Sequence, residues 1–282
     1  MAPKGGRGGG GVHIGGSGDD SSSVDPLTLD SYFSYATLGV YGLYFFYILM
    51  VVLAQKAHFP YLYLYAIISC GLLYSVLDVV ALVSGGSGGP CESAAAVYFN
   101  LMLFLIWLFL FEPSRQINLK LRQGGPLSPL NLAQYTSSGT GITLLCGYGL
   151  ALVLLLLTIV YAIITYYVAP SSYLGLGYVL VYAPWLFTLM WFYLAASHWQ
   201  YIGDKRSYGI YAFLAVCIQV GVTLVNSPGV FAYSGADSLF APVVVGFVMI
   251  RCCHFIALYF AVTKASEWVT CTRYDYVSDQ KQ

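Results

Sequence analysis

Two ionisable side chains, Asp78 and Arg251, stand inside runs of otherwise apolar residues. A carboxylate and a guanidinium in such surroundings can pair, hold an ion, or bind a small polar ligand. A charge at the bilayer centre costs about 2.5–3.5 kcal/mol on insertion scales, so each must find compensation. Helical spacing gathers further polar groups around them. Gly71, Tyr74, Ser75 and Asp78 share one face by the i, i+3, i+4 rule, and His254 lies one turn from Arg251. Gln219, Thr223 and Asn226 share a face of another segment, and Asn100 belongs to a fourth. The expected site is a ligand or ion pocket built from Asp78, Arg251, His254, Tyr74, Ser75, Asn100 and Gln219. The uncharged members are equally suited to hydrogen bonding between helices, and that role is favoured for them.

Other chemistry is weaker. Gly85-Gly86-Ser87-Gly88-Gly89 spells G-x-S-x-G, but a nucleophile elbow requires a strained strand-to-helix turn. Here the glycines connect two apolar segments and read as a loop. His13, His58, His198 and His254 fall on separate segments, with no pair spaced to hold zinc or haem. No metal or cofactor is expected, and no catalytic constellation points to an enzyme. Cys70, Cys146, Cys217, Cys252 and Cys253 sit in apolar runs as small fillers. Cys271 follows the last run and is a candidate for lipidation. The tail Tyr274-Asp275-Tyr276-Val277 spells a tyrosine-based sorting signal, which a chain with 26 tyrosines can also match by chance.

The elements that position these residues follow from composition. Of 282 residues, 59% are hydrophobic and 9% charged, against about 25% charged in soluble domains. That excludes a soluble enzyme. Twelve basic residues balance twelve acidic ones, which excludes a nucleic-acid partner. Seven stretches approach or exceed the roughly 20 apolar residues a membrane helix needs: 32–54, 61–83, 93–111, 140–168, 174–196, 208–225 and 239–263. Glu112-Pro113 is expected to stop the third, Pro170 the fourth, and Pro184 to kink the fifth. Runs such as 152–157 do not alternate in polarity, so a barrel is excluded. The chain divides into a disordered Gly/Ser-rich head (1–31), an all-α seven-helix transmembrane bundle (32–263) and a tail (264–282). No cleaved signal is evident, and the first span is expected to act as an uncleaved anchor.

Charge bias gives an orientation. Lys56, Arg115, Lys120, Arg122, Lys205, Arg206, Lys264, Arg273 and Lys281 follow the odd-numbered spans, and the loops after spans two, four and six hold no lysine or arginine. Basic residues mark the cytoplasmic side. The N-terminus is therefore expected outside or in the lumen and the C-terminus in the cytoplasm, in a plasma or secretory-pathway membrane. Asp78 then lies roughly 8 Å, and Arg251 roughly 18 Å, below the lumenal ends of their spans, a gap a tilted helix and an arginine can close.

In topology the chain resembles the heptahelical receptors and the microbial rhodopsins. It lacks the mid-seventh-span lysine a retinal Schiff base requires, and Lys264 sits at the membrane edge. It carries Glu112-Pro113-Ser114-Arg115 after the third span and no Asn-Pro in the seventh. The glycine-rich head followed by seven spans is also similar to membrane proteins of filamentous fungi that have no assigned activity. The favoured reading is a receptor- or sensor-like protein with a polar pocket in the lumenal half, in contact with the lipid bilayer and a small-molecule or ion ligand. A cytoplasmic partner would meet loop 112–139 or the tail. The alternatives are a transporter, channel or lipid-handling protein using Asp78 and Arg251, and a scaffold without ligand.

Overall fold

The computed structural model describes residues 26–54, 59–83, 90–121, 136, 138–167, 174–226 and 240–268. The glycine-rich head through residue 25, the 84–89 loop, His58, the 122–135 segment and the tail with Cys271 lie outside these residues. Among the described residues every extended element is a helix. They are α1 (Pro26–Leu53), α2 (Phe59–Val83), α3 (Pro90–Leu121), α4 (Gly139–Tyr167), α5 (Leu174–Tyr182), α6 (Trp185–His198), α7 (Lys205–Asn226) and α8 (Phe240–Lys264). With α5 and α6 counted as one broken span, seven are long and apolar enough to cross a membrane. Large apolar side chains point outward along them, among them Leu43, Phe46 and Met50 on α1 and Leu189 and Phe192 on α6. Water would not tolerate so wide an apolar surface, but lipid does. The chain is a multi-pass membrane protein.

Pro184 breaks the fifth span as its chemistry requires. Ala183 and Pro184 form a turn, after which Leu186 and Phe187 donate to the Ala183 and Pro184 carbonyls, each at 3.0 Å. These are the shorter i to i+3 bonds that tighten a helix start.

Pro113 behaves otherwise, and the expected stop at Glu112-Pro113 is corrected. Helix α3 continues to Leu121, so the connection to α4 is shorter than the expected 112–139 loop. Proline removes one backbone donor, but side chains stitch the turns on either side together. Glu112 is buried, 2% exposed, and accepts from Arg115 Nε at 2.7 Å, Arg115 Nη2 at 2.8 Å and Gln116 Nε2 at 3.0 Å, all in the following turn. Glu112 is thus a paired intrahelical carboxylate.

Helix α3 packs against α2, α4, α6 and α7 and carries the core. Phe104, Trp107 and Phe111 surround Phe187 of α6. Nearer the end that bears Arg115, Lys205 and Lys264, here the basic end, Phe109 meets Tyr211 and Trp268 with ring centroids 5.6 and 5.3 Å apart. Trp268 donates to the Ser207 hydroxyl at 2.8 Å. The Tyr208 hydroxyl donates to the Leu110 carbonyl at 2.8 Å and accepts from Trp191 at 2.9 Å. The Gly203 and Asp204 amides donate to the Trp268 and Glu267 carbonyls, both at 3.1 Å. These bonds close the basic end.

Asp204 caps α7 there. Its carboxylate accepts the Ser207 amide at 3.1 Å, which satisfies an amide of the first turn. The side-chain and backbone bonds from Ser207 hold the carboxyl below its ordinary value. A depressed folded-state value means that the stabilisation is complete above the unfolded value, roughly pH 4, and fades as pH falls through the lower folded value. Asp204→Ala is expected to lower stability by about 0.5–2 kcal/mol at neutral pH, with a gap from the parent that narrows below roughly pH 4. Thermal melts of the two proteins from pH 7 to 3 check this; a gap that stays constant with pH sinks it.

Candidate functional site

The charged side chains meet between α1, α2 and α8, in the half of the bundle away from the basic end. Asp78 lies five residues before the end of α2, and Arg251 eleven residues into α8. The arginine side chain spans the difference in depth and places Nη2 3.7 Å from Asp78 Oδ2. Its guanidinium also lies over the Tyr74 ring, 5.1 Å from the centroid, an attraction between a cation and the negative face of the ring. Tyr74 in turn packs on Phe99 at 5.1 Å. The Ser34 hydroxyl of α1 donates to Asp78 Oδ2 at 2.5 Å. The Arg251 side chain is 7% exposed and the Asp78 side chain 26%, so the carboxylate is the accessible member.

One turn below Arg251, His254 is buried against Tyr41, whose hydroxyl lies 2.7 Å from Nδ1 and also donates to Met102 Sδ at 3.0 Å. The Tyr41 ring rests directly on Gly71, where a β-carbon would collide with it. Glycine at 71 is therefore what lets α1 approach α2 at this depth.

The structure thus brings Asp78, Arg251 and Tyr74 into one cluster, with His254 directly beneath. Ser75 is buried, but its hydroxyl returns to the Gly71 carbonyl at 2.8 Å. Asn100 likewise bonds back to the Ala96 carbonyl of its own helix at 2.9 Å. Gln219 lies at the helix break instead. Its amide donates to the Val181 carbonyl at 3.0 Å, while Trp185 donates to Thr223 at 3.1 Å. The face of α7 that carries Gln219 and Thr223 therefore satisfies groups around Pro184. Gln219→Leu is expected to cost about 1 kcal/mol, the scale of interhelical hydrogen bonds in membranes, and to lower the melting midpoint without changing any ligand response of Asp78 or Arg251. A changed ligand response would return Gln219 to the pocket.

Ser34, Tyr41 and Met102 belong to this region and were missed from sequence. Ser34, Thr37 and Tyr41 follow the i, i+3, i+7 spacing of one helix face, and all three are buried. That polar stripe was readable on α1. Chemically, the cluster offers one fixed cation, one accessible anion, a hydroxyl and an aromatic wall, a set suited to holding a polar ligand by charge. Among the described residues no group of three His, Cys, Asp or Glu side chains could hold a metal ion. Comparisons with protein-family models, curated proteins and solved structures return no significant match.

Proposed function

We propose that this multi-pass membrane protein is a receptor- or sensor-like heptahelical protein that acts by binding a small ligand around Asp78 and Arg251. Its N-terminus lies outside or in the lumen, and its C-terminus is cytoplasmic, in a plasma or secretory-pathway membrane. One observation carries the reading, the asymmetry of the bundle. The charged, partly accessible cluster occupies one half, while Phe109, Tyr208, Tyr211 and Trp268 fill the other with buried rings. Such a plug closes the cytoplasmic side beneath a ligand and leaves the lumenal side to receive it. The orientation is supported by the basic residues gathered at the plugged end.

The break at Pro184 favours a second reading. Transporters use interrupted helices at their substrate sites, and α5 and α6 form such an interruption. The two readings separate in proteoliposomes. Asp78→Cys, combined with Arg251→Gln in a background freed of other reactive cysteines, is expected to react with a membrane-impermeant maleimide from the lumenal side alone, because position 78 is the accessible one of the cluster. The reconstituted protein is expected to pass no ions or ligand. Labelling from both sides, or measurable flux, would replace sensing with transport.

A further inference from the structure

The cluster holds one charge of each sign, and they do not satisfy each other fully. Arg251 Nη2 and Asp78 Oδ2 are 3.7 Å apart, whereas a direct charge-assisted hydrogen bond is about 2.7–2.9 Å. Each charge has instead taken other contacts. Asp78 accepts the Ser34 hydroxyl, and Arg251 lies over the Tyr74 ring. The site as a whole is neutral, which constrains what can enter. A ligand with only an anionic group would occupy Arg251 and leave Asp78 facing added negative charge. A ligand with only a cationic group would occupy Asp78 and leave Arg251 facing added positive charge. In surroundings where a charge separated from its counter-charge is costly, both are penalised.

We infer that the site takes a zwitterion, with an ammonium meeting Asp78 and an anionic oxygen group meeting Arg251. The inference rests on the reading of this cluster as a ligand site. A zwitterion entering between the two side chains meets each charge with its opposite and leaves the net charge unchanged. The exposures fit this order of contact, since the 26% exposed carboxylate meets an incoming ammonium before the deeper guanidinium, 7% exposed, meets the anion. Tyr74, which lies under the guanidinium, and Phe99, tilted 50° against Tyr74, supply an aromatic wall for an apolar remainder. Two sources share this chemistry, a free amino acid and the headgroup of a phosphatidylethanolamine lipid. Asp78, about 8 Å from the end of α2, is within reach of either.

The test uses the full chain in nanodiscs of phosphatidylglycerol, which carries no ammonium, and in nanodiscs that also contain phosphatidylethanolamine. L-phenylalanine, phenethylamine and 3-phenylpropionate, which share one aromatic ring, are titrated while the thermal unfolding midpoint is followed. In phosphatidylglycerol the amino acid is expected to bind roughly a hundredfold more tightly than either half, the scale set by leaving a buried charge without its partner. If the lipid headgroup is the occupant, phosphatidylethanolamine itself raises the midpoint of the native protein. That rise is then absent in the Asp78→Asn/Arg251→Gln double variant, and phenylalanine adds nothing to it. Arg251→Gln is expected to move the preference from phenylalanine to phenethylamine, a change of rank that a purely structural pair would not produce. Should the double variant fail to fold, the ranking of the three probes on the native chain still decides. An acid or amine that binds as well as the amino acid overturns the zwitterion while preserving a ligand site. No response to any probe or to phosphatidylethanolamine overturns both.

Discussion

Gly246→Leu is expected to abolish the folded, monodisperse protein, and Gly221→Leu to do the same. A β-carbon on Gly246 would lie 2.8 Å from the Gly221 carbonyl oxygen and 2.9 Å from Val225 Cγ2. One on Gly221 would lie 2.8 Å from the Gly246 carbonyl oxygen and 3.1 Å from the Ile250 amide nitrogen. At each position the nearest obstacle is a backbone carbonyl oxygen, which cannot rotate aside as a side chain can. Helices α7 and α8 would have to separate along their length. Lipid supplies no hydrophobic force to draw membrane helices together, so their association depends on close packing that separation removes. Alanine, adding one carbon, is expected to cost about 1–3 kcal/mol, the range for overfilling a packed interior. Leucine adds four and exceeds it. Gly39 and Gly149 are the controls, because a β-carbon there meets nothing within 4 Å. Alanine at either is expected to be neutral or to stabilise by up to about 1 kcal/mol through helix propensity. Fluorescence-detected size-exclusion profiles and melts of the six variants check the set. A Gly246→Leu protein that elutes and melts like its parent would show that this crossing is not close.

The same crossing explains why the intramembrane polar residues lie where they do. The α7–α8 pair is tightly packed within itself, and side-chain bonds tie it to the remaining helices. Arg251 reaches Asp78, His254 meets Tyr41, Gln219 meets the Val181 carbonyl, and Tyr208 meets the Leu110 carbonyl. A ligand that rearranged Asp78 and Arg251 would act on one of these ties, which is how binding in the half away from the basic end could bias the position of the α7–α8 pair.

The legibility of this arrangement in the sequence varied with the physical signal. The spans were readable because a membrane helix requires a long apolar run, and few other structures tolerate one. Asp78 and Arg251 were readable because charge inside such runs is rare. Pro113 was misread because the proline rule concerns the backbone, while helix α3 is continued by Glu112 gripping Arg115 and Gln116 in the next turn. Gln219 was placed in the pocket because spacing gives the face and depth of a side chain but not the neighbour opposite. That neighbour is the break at Pro184, on a span whose own irregularity creates the acceptor. Tyr41 was lost among 26 tyrosines, and only its alignment with Ser34 and Thr37 distinguishes it.

Asp78→Asn is expected to be the more damaging single substitution of the charged pair, at about 3 kcal/mol. It removes the nearby carboxylate from a guanidinium that is 7% exposed and held eleven residues deep in α8. Arg251→Gln leaves Asp78 behind, but that carboxylate is 26% exposed, keeps the Ser34 hydroxyl and lies near the end of its helix. Its loss is expected to be smaller, about 1–2 kcal/mol. The double variant Asp78→Asn/Arg251→Gln is expected to melt within about 1 kcal/mol of the parent, because a buried ion pair contributes little net stability once neither charge needs compensation. Exchanging the two residues is not expected to restore the parent. It would place a short carboxylate at the deep position and a long guanidinium near the water, where the arginine can turn outward and leave the aspartate behind. A double variant that folds like the parent and has lost ligand binding therefore assigns the charges to function. If the double variant falls as far as Asp78→Asn alone, or the exchanged protein recovers fully, the pair is a structural tie, and the ligand reading then stands or falls on the ranking of the three probes on the native chain.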